Sequence, residues 1–317
     1  STGVTSINGR PHSEFNALNK IQNLSGSTLY TTLEPCTHYG KTPPCVNIIL
    51  KKKIKNVFYS FEDPDSRTFK KAKKILNLKK IKTKLIKSRN YKKFYQSYFI
   101  NKKFNTPFIT AKIAISKDYF TINEKNNWIT NEKSRKIVHL LRSSYDCIMS
   151  TSKSINYDNS LLNCRIEGLN NYKPDLFIID LNLKLRKNLL LNRIIKKRKT
   201  YIITKKVNVN KTLIYKKRGY KIILVDSLTS KKNFNTLFKK IYKLGYCRVF
   251  IESGLTFLNT LIKNKLIHDM FIFKSSNFLG KKGKNNNSSK FLRNIKPKIS
   301  LFHLDDDKLY RKEFKNV

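Results

Sequence analysis

The chain has 317 residues, enough for two domains of ordinary size, and 39% of them are hydrophobic, enough to form buried cores. It has no run of about 18 apolar residues, no apolar targeting segment at its start and only five cysteines, so we expect a cytoplasmic protein without a disulfide framework. The net charge of +47 comes mostly from lysines spread along the whole chain, which indicates a solvated surface rather than a specific nucleic-acid-binding arm.

The first hundred residues predict alternating helices and strands. Apolar residues recur at helical spacing after residue 12, and short β-rich runs are bounded by breaks such as Gly26 and Pro35. The predicted helices span 12–24, 46–52, 67–78 and 91–102, and the predicted strands span 27–33, 56–60 and 83–86. This alternation is typical of an α/β domain.

The stretch NKKFNTP at 101–107 predicts a linker, after which a second α/β series begins. Its predicted helices span 131–142, 234–244 and 256–263, and its predicted strands span 108–116, 145–150, 176–180, 200–204, 221–225, 248–252 and 270–274. We expect the strand at 270–274 to be the last element of the series and the polar segment 281–289 to be a mobile loop. The expected domains are therefore residues 1–104 and 105–317.

One histidine and two cysteines give the strongest chemical signal. His12 lies in PHSEFNAL at 11–18, and Cys36 and Cys45 lie in TLEPCTHYGKTPPC at 32–45. A catalytic zinc ion takes three protein ligands of these types and leaves a fourth position for water. Glu14, two residues after His12, would carry a proton from that water to a leaving amine. Each residue alone is more often structural, so the prediction depends on the combined pattern.

The combined pattern resembles that of zinc deaminases, in which H-x-E precedes P-C and a second cysteine, although eight residues separate the cysteines here instead of two. With this spacing, HSE and TLEPCTHYGKTPPC closely resemble the deaminase half of the bifunctional riboflavin-biosynthesis deaminase–reductase family. The resemblance implies zinc ligation by His12, Cys36 and Cys45 and a catalytic role for Glu14. It also implies a pyrimidine pocket shaped by His38, Gly40, Lys41 and Thr42.

Two further segments of the first domain bear on this resemblance. FEDPDSRTF at 61–69 resembles the D-P-N-P segment of the family. Family members also carry more residues ahead of the H-x-E helix, including a segment that contacts substrate, whereas eleven residues precede His12 here. We therefore expect the first domain to lack part of its front.

The resemblance continues through the second domain, where the family's reductase half is similar to dihydrofolate reductase in fold and uses NADPH. The matching segments are KIAISKDYFT at 112–121, NNWIT at 126–130, LLRSSYDCIM at 140–149, the run at 150–165 and FIESGLTFLNTLI at 250–262. The resemblance implies NADPH contacts for Ala114, Trp128, Ser154, Asp158, Gly254, Leu255, Thr256, Phe257, Leu258, Asn259 and Thr260. It implies substrate contacts for Asn126, Arg142, Leu162, Arg165 and Glu252.

Elementary chemistry agrees with these roles. The guanidinium groups of Arg142 and Arg165 suit a ribotide phosphate, and Asp158 suits the ribosyl hydroxyls. The free N–H groups of a helix that begins after Gly254 suit the cofactor pyrophosphate. Trp128, taken alone, is more often a core residue than a ligand contact.

The resemblance thus predicts zinc-dependent deamination of a phosphoribosylaminopyrimidine and NADPH-dependent reduction of its ribosyl group to ribityl. The expected partners are a small pyrimidine ribotide and further copies of the chain, as a homodimer or larger assembly, without a specific nucleic acid or a membrane. Three alternatives remain: a nucleic-acid deaminase, a basic RNA-binding protein without catalysis, and a reductase with a non-functional deaminase half. The cysteine spacing and the second domain disfavour the first alternative, and the intact His12, Glu14, Cys36 and Cys45 disfavour the second.

Overall fold

The computed structural model describes residues 1–87, 89–125, 128–169, 174–294 and 300–314. The chain divides into two compact units, Ser1–Asn105 and Thr106–Val317. This division lies one residue beyond the expected end of the first domain. Among the described helices, none combines the length and the apolar character needed to span a membrane.

The first unit is a three-stranded parallel sheet with helices packed on it. Its strands are β1 (Thr28–Thr31), β2 (Asn56–Tyr59) and β3 (Lys82–Leu85), paired in that order. Its helices are α1 (Ser13–Leu18), α2 (Cys45–Lys51), α3 (Lys71–Leu78), α4 (Arg89–Phe94) and α5 (Gln96–Phe104). Ile49, Val57 and Leu76 are fully buried between the sheet and helices α2 and α3, so this unit has a core of its own.

Three predictions for the first unit differ from the structure. The helix predicted at 12–24 ends at Leu18, because the polar residues that follow turn the chain away. The helix predicted at 91–102 is divided at Tyr95, whose ring stacks on Phe61 and whose hydroxyl bonds Thr32 at 2.7 Å. The linker predicted at 101–107 is wrong for its first half, because α5 continues to Phe104.

The second unit is built on a nine-stranded sheet. Its strands are β4 (Phe108–Ile115), β6 (Cys147–Thr151), β7 (Asp175–Ile179), β8 (Thr200–Lys205), β9 (Lys221–Val225), β10 (Arg248–Glu252), β11 (Asp269–Lys274), β13 (Ser300–Leu304) and β14 (Asp307–Glu313), and a separate pair is formed by β5 (Ile122–Asn123) and β12 (Gly283–Lys284). The helices are α6 (Glu132–Ser143), α7 (Ser152–Asp158), α8 (Leu213–Lys217), α9 (Lys231–Lys243), α10 (Leu255–Lys263) and α11 (Lys290–Asn294).

The strand order β13-β14-β11-β4-β10-β6-β7-β8-β9 contains a parallel block from β11 to β9 and an antiparallel hairpin at the β13 end. Hydrophobic clusters cover both faces of the block, which explains why its strands are nearly continuous apolar runs. The order reverses around β4, β10 and β6. Ligands bind at the carboxyl ends of strands beside such a reversal.

Two predictions for the second unit need revision. Strand β11 is not the last strand, because β14 pairs with it and β13 extends the edge. The segment 281–289, predicted to be a mobile loop, contains strand β12, which pairs with β5, and its Asn285 bonds both Thr121 and Tyr119.

Nearly all of the positive charge on the described residues lies outside the cores. Among the described residues, the buried side chains include one arginine, Arg198, and no lysine. Arg198 donates to the carbonyl groups of Leu161, Leu162 and Pro174. The solvated surface inferred from the sequence agrees with this distribution.

Candidate active sites

The first unit brings the predicted metal ligands together. His12 is the N-cap of α1, Cys45 is the first residue of α2, and Cys36 lies in the loop between β1 and α2. The Nδ1 atom of His12 lies 3.4 Å from Cys36 Sγ and 3.3 Å from Cys45 Sγ. The potential ligand atoms of the three residues all lie within 4.8 Å of one another.

This donor set fits a zinc ion. With ordinary zinc–nitrogen and zinc–sulfur bonds, neighbouring ligand atoms of a tetrahedral site lie about 3.5 Å apart, close to the distances observed. Cys36 Sγ also accepts the backbone N–H of Cys45 at 3.2 Å, as expected for a thiolate at a helix N-terminus. A hydrogen bond from the Cys45 thiol is the main cause that lowers the pKa of Cys36, to about 3.

Glu14 lies in the first turn of α1 and is buried. Burial raises the pKa of its carboxyl group, while a hydrogen bond from the Ser13 hydroxyl at 3.0 Å opposes the rise. A carboxyl group with a raised pKa is better matched to proton transfer near neutral pH than an exposed one. The side chain is therefore suited to move a proton beside the metal ligands.

Glu34, which was not predicted from the sequence as a site residue, holds the loops around this centre. Glu34 is 2% exposed, and its carboxylate accepts backbone N–H groups from Asp63, Lys70 and Ala72 at 3.1–3.2 Å. These bonds fix the segment that resembles D-P-N-P. The only signal for Glu34 was its place inside the TLEPC motif.

One polar contact involves a metal ligand, and another involves His38, two residues after Cys36. Arg10 Nη1 lies 2.8 Å from His12 Nδ1. His38 Nδ1 lies 3.1 Å from the hydroxyl of Thr68, so this histidine contacts the 61–69 segment.

An apolar cavity of about 170 Å³ lies beside the ligands, with His12 and Cys45 among its lining residues. Phe15, Pro43 and Ile48 contribute apolar surface, which suits a flat ring. Of the four residues implied to shape the pyrimidine pocket, Thr42 lines this cavity, whereas His38, Gly40 and Lys41 do not.

The second unit has a charged cluster where the carboxyl end of β10 lies beside the middle of β4. Lys112 and Glu252 are register partners on these strands, and their charged groups lie 3.7 Å apart. Arg142, from α6, forms a two-point ion pair with Glu252 at 2.6 and 3.0 Å. Burial opposes ionisation of Glu252, but the Arg142 and Lys112 charges keep its pKa below the usual value. Lys112 was missed from the sequence, where it is one of many lysines.

Arg142 is therefore engaged by protein groups rather than free for a phosphate. Besides Glu252, its Nη1 donates to the carbonyl of Asn163 at 3.1 Å. The exposed Arg165 is more accessible, and its Nη2 lies 3.2 Å from His139 Nε2. His139 Nδ1 lies 2.9 Å from the Asn163 carbonyl, and burial lowers the pKa of this histidine to about 4. A neutral His139 that donates to Asn163 can accept a bond from Arg165.

Asp158, at the end of α7, lies within electrostatic range of the same cluster. Desolvation raises the pKa of its carboxyl group, the Lys112 charge lowers it, and the Glu252 charge raises it. Ala114 lies on the same face of β4 as Lys112, two residues further along. The predicted residues Asp158 and Glu252 thus share one lysine, and Ala114 lies two residues beyond that lysine on the same face of β4.

The N-terminus of α10 fits the phosphates of a dinucleotide. Gly254 is its N-cap, carries no capping side chain and donates its N–H to Ser154 Oγ at 3.2 Å. Uncapped N–H groups at such an end attract anions. A β-carbon at Gly254 would lie 3.1 Å from Asn286 Nδ2, so a larger residue would crowd this position.

The structure limits how some of the implied cofactor and substrate residues could contact a ligand. The side chains of Leu255 and Leu258 are buried in the core, and Leu162 is buried in a second cluster, so only their backbones are available to a ligand. Trp128 is 53% exposed and stacks on Arg135, with its ring centroid 4.6 Å from the guanidinium carbon, so it is not a core residue. Asn126 lies outside the described residues. Of the rest, Thr256, Phe257, Asn259 and Thr260 lie on α10.

The folds and sites define a two-unit enzyme class, with a zinc-deaminase type of centre in one unit and a dinucleotide-type strand-end site in the other. Comparison with protein families agrees with both assignments. Residues 3–61 match the zinc-binding region of cytidine and deoxycytidylate deaminases. Residues 107–305 match the RibD C-terminal domain, and the chain belongs to the RibD family.

Similar proteins match both units. The riboflavin biosynthesis protein RibD of Aquifex aeolicus is 27% identical over 277 residues, which cover 86% of this chain and 76% of the relative. That of Buchnera aphidicola is 28% identical over 289 residues, with the same coverage. The structure of Acinetobacter baumannii RibD (form 2) superposes with a TM-score of 0.78 at 23% identity and covers 95% of this chain and 85% of its own.

A Thermotoga maritima structure described as a diaminohydroxyphosphoribosylaminopyrimidine deaminase/5-amino-6-(5-phosphoribosylamino)uracil reductase gives a TM-score of 0.77 at 22% identity, and covers 96% of this chain and 85% of its own. The predicted fold class, cytidine-deaminase-like followed by dihydrofolate-reductase-like, is confirmed. The predicted function in riboflavin biosynthesis as a deaminase–reductase enzyme is confirmed by the family matches and the named relatives. The zinc and NADPH predictions agree with the same matches.

Proposed function

We propose that Ser1–Asn105 carries the deaminase and Thr106–Val317 the reductase, and that each uses the residues described above. The observation that carries the proposal is the convergence of His12, Cys36 and Cys45 beside the buried Glu14. The substrate class is a phosphoribosylaminopyrimidine, as in the description of the Thermotoga relative.

In the deamination, His12, Cys36 and Cys45 would hold the zinc ion. When bound, zinc supplies Lewis acidity that makes water nucleophilic at neutral pH. Glu14 accepts a proton as the carbon–oxygen bond forms, then returns it to the exocyclic nitrogen. The carbon–nitrogen bond breaks and ammonia leaves. The apolar cavity beside His12 would hold the pyrimidine ring.

In the reduction, NADPH would be held by the α10 N-terminus and Ser154 and would supply the hydride. Arg165, oriented by His139, would bind the ribotide phosphate. Arg142 would hold Glu252 in place. The Lys112 ammonium, beside Asp158 and Glu252, is placed to give a proton to the ribosyl nitrogen or oxygen as hydride reaches carbon.

We also propose the implied roles for the remaining residues. Where a side chain is buried, only the backbone would contact the ligand. Ala114 and Trp128 would border the nicotinamide, and Asn126 and Leu162 the substrate, the latter through its backbone. We further propose that the protein acts in the cytoplasm as a homodimer or larger assembly and binds no specific nucleic acid. The exposed lysines would then serve as a solvated surface.

A split assay tests the two activities separately. Ammonia release from the diaminopyrimidine ribotide is measured in one reaction, and NADPH oxidation with the deaminated ribotide in another, each before and after treatment with a zinc chelator. We expect both activities, with only ammonia release lost on chelation and regained when zinc is added. NADPH oxidation alone would favour a reductase with a non-functional deaminase half. Absence of both activities would overturn the proposal.

A further inference from the structure

The segment 283–289 of the reductase unit is held firmly against a neighbouring loop. Its first two residues form β12, which pairs with β5. The Asn285 side chain accepts the N–H and the hydroxyl of Thr121, both at 2.9 Å, and donates to the Tyr119 carbonyl at 3.0 Å. A β-carbon on Gly283 would lie 2.2 Å from the Phe120 ring, so this position fits only glycine. The segment therefore has a defined place in the fold.

That place is directly over the first turns of α10. The Thr256 hydroxyl lies 3.5 Å from the Asn286 carbonyl, and Asn259 Nδ2 donates to the Ser288 carbonyl at 2.9 Å. The Asn286 amide stands closest to the N-cap, 3.1 Å from where a β-carbon of Gly254 would be. Three residues implied to bind NADPH thus contact one segment that the sequence predicted to be a mobile loop.

The chemistry of this contact favours a phosphate ligand. The N-cap Gly254 provides no side-chain acceptor, so the N–H groups at this helix end face a region where an anion is stabilised. The amide of Asn286 adds a neutral donor beside Gly254 and is exposed to solvent. The nearby Lys284 forms an ion pair with Glu124 at 3.1 Å, so the Asn286 amide is the donor that this segment offers beside the N-cap, while Ser154 Oγ already accepts the Gly254 N–H.

We infer that Asn286 is a further cofactor-binding residue, whose side-chain amide donates a hydrogen bond to a phosphate oxygen of NADPH bound at the α10 N-terminus. The inference rests on the proposed reductase function of this unit. It assigns the 283–289 segment as the second wall of the cofactor site, facing α10.

Direct binding of NADPH tests the inference with two charge-matched variants. Asn286→Asp replaces the donor with a negative charge beside the phosphates, and we expect the dissociation constant to rise about tenfold. Asn287→Asp adds the same charge one residue further on, where the native side chain only accepts the N–H of Ser288 at 2.7 Å, and we expect a much smaller change. Asn286→Ala removes the donor without adding charge and should fall between them. The constants are measured from NADPH fluorescence in the full chain, without substrate.

A second readout follows the segment itself. Lys284 and Lys290 are trypsin sites at its two ends, and cleavage there should slow when NADPH is added to the wild-type chain. Faster cleavage with NADPH would mean that the cofactor displaces the segment, and would overturn the inference. Equal constants for the two aspartate variants, with intact wild-type binding, would also overturn it while the proposed reductase stands. If the wild-type chain bound no NADPH, the proposed reduction itself would fail, and the inference with it.

Discussion

Glu14 and Lys112 illustrate how burial gives a common side chain a chemical task. Glu14 is buried beside three metal ligands, and Lys112 is half-buried between two carboxylates. Desolvation raises the pKa of the first and lowers that of the second. Both shifts move the pKa of the side chain toward neutral pH, where the group can more readily accept or release a proton.

Replacing Glu14 by Gln should separate metal binding from catalysis. Glutamine keeps the shape of the side chain but cannot carry a proton, so ammonia release should fall at least about 100-fold. The zinc content, measured by atomic absorption, should stay at the wild-type level. Cys45→Ser serves as the contrasting variant, in which zinc itself should be lost. Near-normal ammonia release from the Gln variant would exclude Glu14 as the proton carrier.

Replacing Lys112 by Met should slow the reduction without releasing the cofactor. The ammonium group is lost while Arg142 still pairs with Glu252, so we expect NADPH oxidation to fall about 100-fold. NADPH affinity should change little. Lys117→Met, at an exposed position beyond the end of β4, is the matched control and should retain full activity. A similar loss in both variants would point to a general charge effect instead.

For single residues, the sequence predicts site residues that stand in local motifs. It misses site residues that only the pairing of distant strands brings together. His12, Cys36 and Cys45 stand in motifs whose spacing has chemical meaning, so they could be found by reading along the chain. Lys112 and Glu252 meet only because β4 and β10 pair in one particular register. No local pattern marks that lysine among the others.

The elements of the second unit show a similar division. Strands buried on both faces, such as β7 and β8, were predicted closely, because they are apolar throughout. The edge strand β13 and its neighbour β14 were missed, because β13 is only five residues long and five of the seven residues of β14 are charged. The short strand β12 was missed because its pairing with β5 depends on residues about 160 positions away.

His268, just before β11, leads to a prediction about how the stability of the protein depends on pH. Its Nδ1 accepts the Ile109 N–H at 2.9 Å, so the ring is neutral, and burial lowers its pKa to about 4. In the unfolded chain a histidine binds its proton near pH 6.5. Acid therefore favours the unfolded state, and this group should cost about 2 kcal/mol of stability between pH 7 and pH 5.

The variant His268→Asn isolates that contribution. The asparagine oxygen can accept the same N–H but does not titrate in this range. We expect urea unfolding to show a loss of stability on acidification that is smaller than in the wild type by about 2 kcal/mol. His139, whose pKa is also lowered, is present in both proteins and cancels in the comparison. Equal acid sensitivity of both proteins would refute the assignment.

At the scale of the whole molecule, the two units have separate cores and separate chemistry. The apolar cluster of the first unit contains only residues before Asn105, and those of the second only residues after Thr106. The sequence predicted this two-part organisation, because its α/β alternation restarts near residue 106.

No lysine is among the buried side chains of the described residues. The exposed charge should therefore make the stability of the protein depend on salt concentration. Sixty-seven basic residues against 20 acidic ones repel one another across a compact surface, and this repulsion opposes folding. Dissolved ions shorten its range, from about 10 Å at 0.1 M to about 3 Å at 1 M.

We therefore expect the melting temperature to rise with sodium chloride concentration, and to rise less in a variant whose exposed Lys73, Lys74 and Lys79 are replaced by Gln. A melting temperature that falls with added salt would contradict this. For this chain, the counterions in the surrounding solvent are part of what keeps it folded.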